Sequence, residues 1–545
     1  MSSDPSAPVP PGPPQVAPPR LAKSAGVIGA ATMTSRILGL VRDTVMAALF
    51  GAGDHMDAYL VAFRIPNLVR DLFAEGAMSA AFVPTFTRTL TLEGRERAWR
   101  LGSMVINALV LATLTVVVVG LVFASPITTA FAGKYAAVPG KLELTVMLTR
   151  IMFPFLTMVA LAAAFMGMLN SLHRFFVPAF SPAMFNVGSI LCTLGLVPVM
   201  PLIGLPAIVA PAIGVLVGGM LQAGVQWPSL RAEGFRYRPG LDIRDDGLRQ
   251  VLVLMGPGVV GLAAVQVNLL VNTILATNEG TGAVSYLGYA FRLMYLPIGL
   301  FGVSIATASL PTLSRQAARN DLIEMRVTIS RGLRMMLMLT VPATVGLIAL
   351  ATPIVALIFE RGRFSTVDTA NTAAALMFYA PGLVGYSAVK MAVPSLYALK
   401  DSRTPMMVSI TTVILNLGLN IELVQVMSFR GLALGTAISA ICNAAILLWV
   451  LRGRLGGLDG GRVGLAMSKI AVASALMGLA AWGTDWTIAG GLPSHALPVL
   501  ALRVGASIGV GVVVLDIAAR AIRIEEFMDA RATVVSRLKR LRGAW

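Results

Sequence analysis

The constraint that dominates this chain is a succession of long apolar stretches separated by short charged loops. A bilayer core about 30 Å thick is crossed by about 20 mostly apolar residues in a helix. Fourteen segments meet that description, near 25–51, 56–86, 101–131, 143–172, 178–198, 203–228, 248–277, 283–312, 331–359, 370–398, 405–427, 431–451, 464–488 and 497–521. In lipid every backbone polar group must be satisfied within the protein, so spans of this length are helices. Composition agrees: 56% of the 545 residues are hydrophobic and 13% charged, against about 25% charged in a soluble domain. A soluble enzyme, a secreted disulfide scaffold and a disordered chain are all excluded. The two cysteines, Cys192 and Cys442, lie in apolar runs and read as small core residues.

Residues 1–22 are crowded with prolines, have no apolar period and are expected to form a disordered tail. No cationic start, short apolar core and cleavage site mark a removable leader. Orientation follows from Lys and Arg in alternate loops. One set holds 20, among them Arg88, Arg174, Arg238, Arg315, Lys400 and Arg452, whereas the other holds 5, namely Lys134, Lys141, Arg361, Arg363 and Arg430. The rich side is cytoplasmic, which places both termini there. The net charge of +17 is therefore read as membrane topology and not as affinity for nucleic acid.

An internal repeat links the second and eighth segments. Ala62-Phe63-Arg64-Ile65 matches Ala290-Phe291-Arg292-Leu293, and Val83-Pro84-Thr85 matches Leu310-Pro311-Thr312 one span later. Both segments enter from the same side, which makes the repeat parallel. The expected fold is an all-α integral membrane protein of about fourteen helices, in two pseudo-symmetric six-helix lobes plus two C-terminal helices. Residues 23–230 form the N-lobe, 231–455 the C-lobe, 456–521 helices thirteen and fourteen, and 522–545 a basic cytoplasmic tail.

Charge inside a span costs at least about 2.5–3.5 kcal/mol, so an intramembrane arginine implies a polar cavity or a partner. Arg36, Arg42 and Asp43 lie in the first segment; Asp57, Arg64, Arg70, Asp71 and Glu75 lie in the second; Arg292 is the repeat mate of Arg64. Five arginines converging from two lobes exceed what helix pinning requires. A guanidinium presents a planar fork of donors to phosphate oxygens, so such a cavity suits a diphosphate or another polyanionic head group. A second polar set, Asn272, Asn416, Asn420 and Thr436, offers neutral oxygens that could hold Na⁺, with interhelical hydrogen bonding as the plain alternative. Gly214 and Gly218, and Gly431 and Gly435, are spacings that let helices pack closely. Gly256-Pro257-Gly258-Val259-Val260-Gly261 fits a dinucleotide fingerprint only literally, since it opens no strand-to-helix turn. His55, His173 and His495 are too scattered to hold a metal, and no nucleophile motif occurs, so no enzyme is expected.

The runs Ser35-Arg36-Ile37-Leu38-Gly39-Leu40-Val41-Arg42-Asp43, Phe50-Gly51-Ala52-Gly53, Asp57-Ala58, Phe63-Arg64-Ile65-Pro66-Asn67-Leu68-Val69-Arg70 and Phe73-Ala74-Glu75-Gly76-Ala77 closely resemble the MurJ (MviN) lipid II flippase family of the multidrug/oligosaccharidyl-lipid/polysaccharide exporter superfamily. The likeness extends over roughly residues 22–525. It implies alternating access between the lobes and transport of undecaprenyl-diphosphate-linked disaccharide-pentapeptide across the bacterial cytoplasmic membrane. It further implies Arg36, Arg42, Arg64, Arg70 and Arg292 as cavity cations, with Asp43, Asp57 and Glu75 as acidic companions. Membrane lipids and cell-wall synthesis proteins would be its neighbours; no cofactor is expected, apart from the Na⁺ that the amide set could hold as a coupling ion. Two departures stand out: Phe291 precedes Arg292 where relatives often carry Asp, and the cation set has amides in place of a carboxylate. A drug antiporter of the same fold needs an acidic cavity, and this one reads basic; a flippase for another polyprenyl-linked glycan shares the diphosphate.

Overall fold

The computed structural model describes residues 18–71, 78–492, 494, 496–528 and 531, and among them there are helices and turns but no strand. Expected residue Glu75 and most of both tails lie outside the described residues. The helices are α1 (Pro18–Phe50), α2 (Asp54–Arg70), α3 (Met78–Leu92), α4 (Arg95–Val122), α5 (Ala124–Ala132), α6 (Lys141–Met152), α7 (Phe155–Ser171), α8 (Phe176–Leu196), α9 (Val209–Gly224) and α10 (Trp227–Ala232). They continue with α11 (Asp246–Thr277), α12 (Ala283–Pro297), α13 (Val303–Ala318), α14 (Leu322–Ala349), α15 (Ala351–Phe359), α16 (Thr366–Tyr379), α17 (Gly382–Ala398), α18 (Arg403–Met427), α19 (Phe429–Arg454), α20 (Gly460–Gly491) and α21 (Leu497–Ala521).

The helix limits bear on two expectations. The tail ends before residue 22, because α1 starts at Pro18; proline is tolerated in a first turn, where its missing N–H has no partner to lose. Nine helices among the described residues are long and apolar enough to cross a membrane, or ten if bent α16 and α17 make one span. The other four expected spans correspond to α1, α2 with α3, α11, and α12 with α13. Three of these carry the intramembrane arginines.

The repeat has a structural counterpart. Helix α2 ends at Arg70, and Asp71, seven residues past Arg64, has π-helical geometry. Helix α12 ends at Pro297 and runs into a π turn at Ile298–Gly302, with Gly299 seven residues past Arg292. A π turn widens the helix and leaves backbone groups off the regular ladder, which is why such turns gather at functional sites.

Packing is segregated along the chain. Helix α8 lies between α1 and α9, α2 on α6, and α7 against α3, α4 and α9. Further on, α12 packs on α16, α17 against α13, α14 and α19, and α18 on α19. Helix α11 touches both sets, through α3 and α18, whereas α20 and α21 pair with each other and lean on α14 and α15. The α10–α11 connection is held by an aromatic chain in which Trp99 meets Phe235 at 5.3 Å and Phe235 meets Trp227 at 5.9 Å. The same connection is tied by Arg97 Nη2 to Asp245 Oδ2 at 2.6 Å. Burial pushes the Asp245 carboxyl up, but hydrogen bonds from Arg97 and the first turn of α11 outweigh it and hold the group below the usual carboxylate range.

Both small-residue spacings are close helix contacts. A Cβ on Gly218 would lie 2.6 Å from the Phe185 carbonyl of α8, and one on Gly431 would lie 2.3 Å from the Leu423 carbonyl of α18. Substituting Gly218→Val should therefore cost about 1–3 kcal/mol through overpacking. A lowered melting temperature in detergent checks this, and an unchanged one would show that α8 and α9 separate freely.

Candidate functional site

The centre of the site is a carboxylate shared by two halves of the molecule. Asp43 of α1 is 6% exposed. Its Oδ1 accepts from Arg42 Nε at 3.3 Å and Nη2 at 3.1 Å, and its Oδ2 lies 2.8 Å from Arg292 Nη1 on α12. Arg42 also stands over the Phe185 ring of α8 at 5.6 Å. The Arg292 side chain is 42% exposed beside a carboxylate at 8%, so it has open space on its far side.

Arg36 reaches the second half of the molecule by a different contact. Its guanidinium rests on Gly299 in the π turn, where a Cβ would fall 1.3 Å from Nη1. Only a glycine admits that approach, and Arg36 has no acidic partner among the described residues. Arg64 lies in the field of Asp71, Arg292 and Arg70, which joins the two ends of the cluster. Arg70 donates to Asp71 Oδ1 from Nε at 3.0 Å and Nη2 at 2.6 Å, while Asp71 Oδ2 accepts from Gln266 of α11 at 3.5 Å. Among the described residues Asp43 is shared by Arg42 and Arg292, and the half-exposed Arg292 side chain keeps a face that an anionic ligand can meet.

Asp57 belongs to another cluster and is not a companion of these arginines. Fully buried, it accepts from the Gly282 N–H at 2.7 Å, the Ser285 N–H at 3.0 Å, the Ser285 hydroxyl at 2.7 Å and Lys141 Nζ at 3.2 Å. A carboxylate of α2 therefore caps the N-terminus of α12, satisfying donors that the helix cannot. Lys141 also meets Asp54 Oδ1 at 2.7 Å and sits 4.0 Å from the Tyr135 ring, and Thr281 donates to Asp54 at 2.8 Å. Nearby, the Arg363 N–H donates to the Ala48 carbonyl at 2.8 Å and the Tyr289 hydroxyl to the Gly51 carbonyl at 3.3 Å. At this Lys- and Arg-poor end the two halves are sealed together. In sequence Lys141 reads only as a loop charge, and Asp54 and Ser285 by themselves carry no mark of a site. The available signal was the presence of two carboxylates three residues apart at a helix start.

The amides do assemble. Asn420 Nδ2 donates to Asn272 Oδ1 at 2.6 Å and to Asn416 Oδ1 at 3.1 Å, bringing α11 to α18. Thr436 donates instead to the Leu432 carbonyl of its own helix at 2.8 Å. Asn416 Nδ2 and Asn420 Oδ1 are buried without hydrogen-bond partners. Among the described residues no group of three or more His, Cys, Asp or Glu is arranged to hold a metal.

Comparison with known proteins places this geometry. Residues 46–500 match the family described as lipid II flippase MurJ. A probable lipid II flippase MurJ of Vibrio cholerae is 36% identical over 437 residues, 78% of this chain and 82% of the relative. The lipid II flippase MurJ of Burkholderia cenocepacia is 35% identical over 464 residues, 84% of this chain and 89% of that protein. A solved lipid II flippase MurJ in an inward closed conformation superposes with a TM-score of 0.74 at 28% identity, covering 91% of this chain and 99% of that one. An inward-facing MATE transporter of the MOP superfamily shares the fold with a TM-score of 0.63 at 16% identity, covering 80% of this chain and 99% of its own. This multi-pass helical membrane protein, with its arginine cluster spanning two halves, belongs to the lipid II flippase MurJ family.

Proposed function

We infer that this chain is a lipid II flippase, moving undecaprenyl-diphosphate-linked disaccharide-pentapeptide from the inner to the outer leaflet of the bacterial cytoplasmic membrane. The observation that carries the reading is Asp43 held between Arg42 and Arg292, with the Arg292 side chain still 42% exposed and Arg36 resting on the backbone of Gly299 without an acidic partner among the described residues. A diphosphate entering this space takes the vacant faces of Arg292 and Arg36, and their planar forks bind pairs of its oxygens. The sugar-peptide head crosses in water while the prenyl tail remains in lipid, along a groove at α20 and α21. The described state has the Asp57 end shut, so loading is from the opposite, arginine-rich side, which we assign to the cytoplasm. Release outward requires Asp57 to leave the N-terminus of α12, which opens one end as the other closes.

The lobes in this reading are residues 23–230 and 231–455, related as a parallel repeat, with 456–521 as the two additional helices. The segments at α1, α2 with α3, α11, and α12 with α13 complete fourteen spans in this reading, and both termini are cytoplasmic. Cysteine labelling from outside should modify a probe at Gly280 and spare one at Arg238; the reverse pattern would invert the topology.

Arg36→Ala, Arg70→Ala and Arg292→Ala should each abolish complementation of a flippase-depleted strain at near-normal membrane abundance, and Arg→Lys should restore only part of it. If the alanine variants disappear from the membrane, the arginines serve the fold and the diphosphate reading fails. Depletion of the protein should itself build up lipid II in the inner leaflet.

Coupling to Na⁺ through Asn272, Asn416, Asn420 and Thr436 is the accompanying proposal. A half-turn of the Asn420 amide exchanges its donor and acceptor, turning three carbonyl oxygens toward one point, and the unpartnered Asn420 Oδ1 supports that rearrangement. A bound ion biases the cycle only by its differential affinity for the two facings. Purified protein should melt higher in Na⁺ than in K⁺ at equal ionic strength, and Asn420→Ala should erase the difference. Equal melting in both salts would leave these amides as interhelical hydrogen-bond partners alone.

A further inference from the structure

At the arginine-rich end, remote in sequence from the central cluster, the connection between α19 and α20 reads Arg452-Gly453-Arg454-Leu455-Gly456-Gly457-Leu458-Asp459-Gly460-Gly461-Arg462. A cavity of about 730 Å³ opens beside it, lined by Arg326 of α14, by Trp449, Arg452 and Arg454 of α19, and by Gly457, Gly460 and the carboxylate-bearing Asp459. Three guanidinium groups from two helices therefore border one open space. Arg326 pairs with Asp459 through Nη2, but its Nε is buried with no acceptor. Arg454 pairs with Asp401 at 3.1 Å and remains 60% exposed. Arg452 has no acidic partner among the described residues.

The backbone contributes donors to the same space. Asp459 precedes α20, a helix of 32 residues, yet its side chain makes no cap, because it is drawn to Arg326. The first bond of the helix runs from the Val463 N–H to the Asp459 carbonyl at 3.0 Å, so the N–H groups of Gly460, Gly461 and Arg462 have no backbone acceptor among the described residues. Gly457, at φ +142°, lays its backbone against the Arg326 guanidinium, where a Cβ would stand 2.9 Å from Cζ. Glycines there keep the loop low and leave the cavity open. Unpaired N–H groups, the positive end of a long helix dipole and convergent arginines are together the chemistry of a phosphate site.

We propose that this cavity binds a phosphate group through Arg326, Arg452, Arg454 and the first turn of α20. The phosphate takes the place of the Asp459 carboxylate on Arg326, and its oxygens accept from Arg326 Nη2 and from Arg452. Two sources offer the same chemistry, a phospholipid head group and soluble phosphate. Trp449, 73% exposed one turn before Arg452, presents an aromatic face of the kind that sits at a lipid interface. Occupancy joins α14, α19 and α20 at one point, clamping the two additional helices to the set they lean on. The site is independent of which cargo the central cluster carries.

The test uses the full chain in phosphatidylcholine nanodiscs, with melting temperature and native-mass lipid retention as readouts. Adding phosphatidylglycerol to the discs is one arm and inorganic phosphate the other, both against the double variant Arg452→Gln/Arg454→Gln. Arg315→Gln, an exposed charge outside the cavity, controls for general electrostatics. The wild type and Arg315→Gln should gain several degrees from at least one ligand, and the double variant should lose at least half of that gain. A gain from phosphatidylglycerol alone identifies a lipid head group, and an equal gain from inorganic phosphate identifies a soluble anion. No gain with either ligand, or a gain that survives in the double variant, would overturn the proposal. Transport by the variants is read separately, so a failed phosphate site does not bear on the flippase assignment.

Discussion

A charge within a bilayer must meet an opposite charge, a hydrogen-bond partner or water, and the arrangement around Asp43 is organised by that requirement. One carboxylate is shared by Arg42 on its own helix and Arg292 on α12. Neither arginine is fully neutralised by half a carboxylate, and Arg36 has none among the described residues, so the group calls for polar access. That same under-compensation makes it receptive to a polyanion. Removing Asp43 would expose two cations to each other in a medium that screens poorly, which couples the integrity of the site to the contact between the two halves.

The seal at the opposite end follows a related logic with a different outcome. Asp57 and Lys141 are as deeply buried as any charges in the molecule, but each is surrounded by partners: two N–H groups, a hydroxyl and a second carboxylate. Full satisfaction makes this end rigid, and under-satisfaction makes the arginine cluster open to a ligand. A transporter needs both conditions at once, one end closed by protein groups and a centre that remains hungry for the cargo. The breaks after α2 and α12 serve the same division. They stand at equivalent positions of the repeat, and the second of them provides Gly299, the surface on which Arg36 rests.

Much of this was legible in the chain. Helix positions followed from segment length and hydropathy, because an unbroken apolar run of about twenty residues crosses lipid as a helix, and the close contacts at Gly218 and Gly431 followed from small-residue spacing. The arginines were conspicuous because their cost is high, and Asp43 was recognised as their companion. Asp57 was misassigned for a physical reason. Heptad spacing from Arg64 places it on the same helical face, but a face does not say how far along the helix a neighbour reaches, and α12 begins beside Asp57 while Arg292 lies further in. Lys141 was hidden for the opposite reason, since a lysine near a loop looks solvated until its partners are known.

The sequence by itself determined that the chain is a bundle of membrane helices and that its interior carries costly cations in a repeated setting. These are local or additive properties, set by run length, hydropathy and residue type. Only the tertiary structure decided which charges pair. Asp43 joins Arg292 across 249 positions of sequence, Asp57 caps a helix that starts 226 positions later, and Arg36 lies on Gly299 instead of on an acid. Partner choice depends on angstrom-scale distances between helices remote in sequence, and those distances are settled by the packing of the whole bundle, which no local pattern encodes.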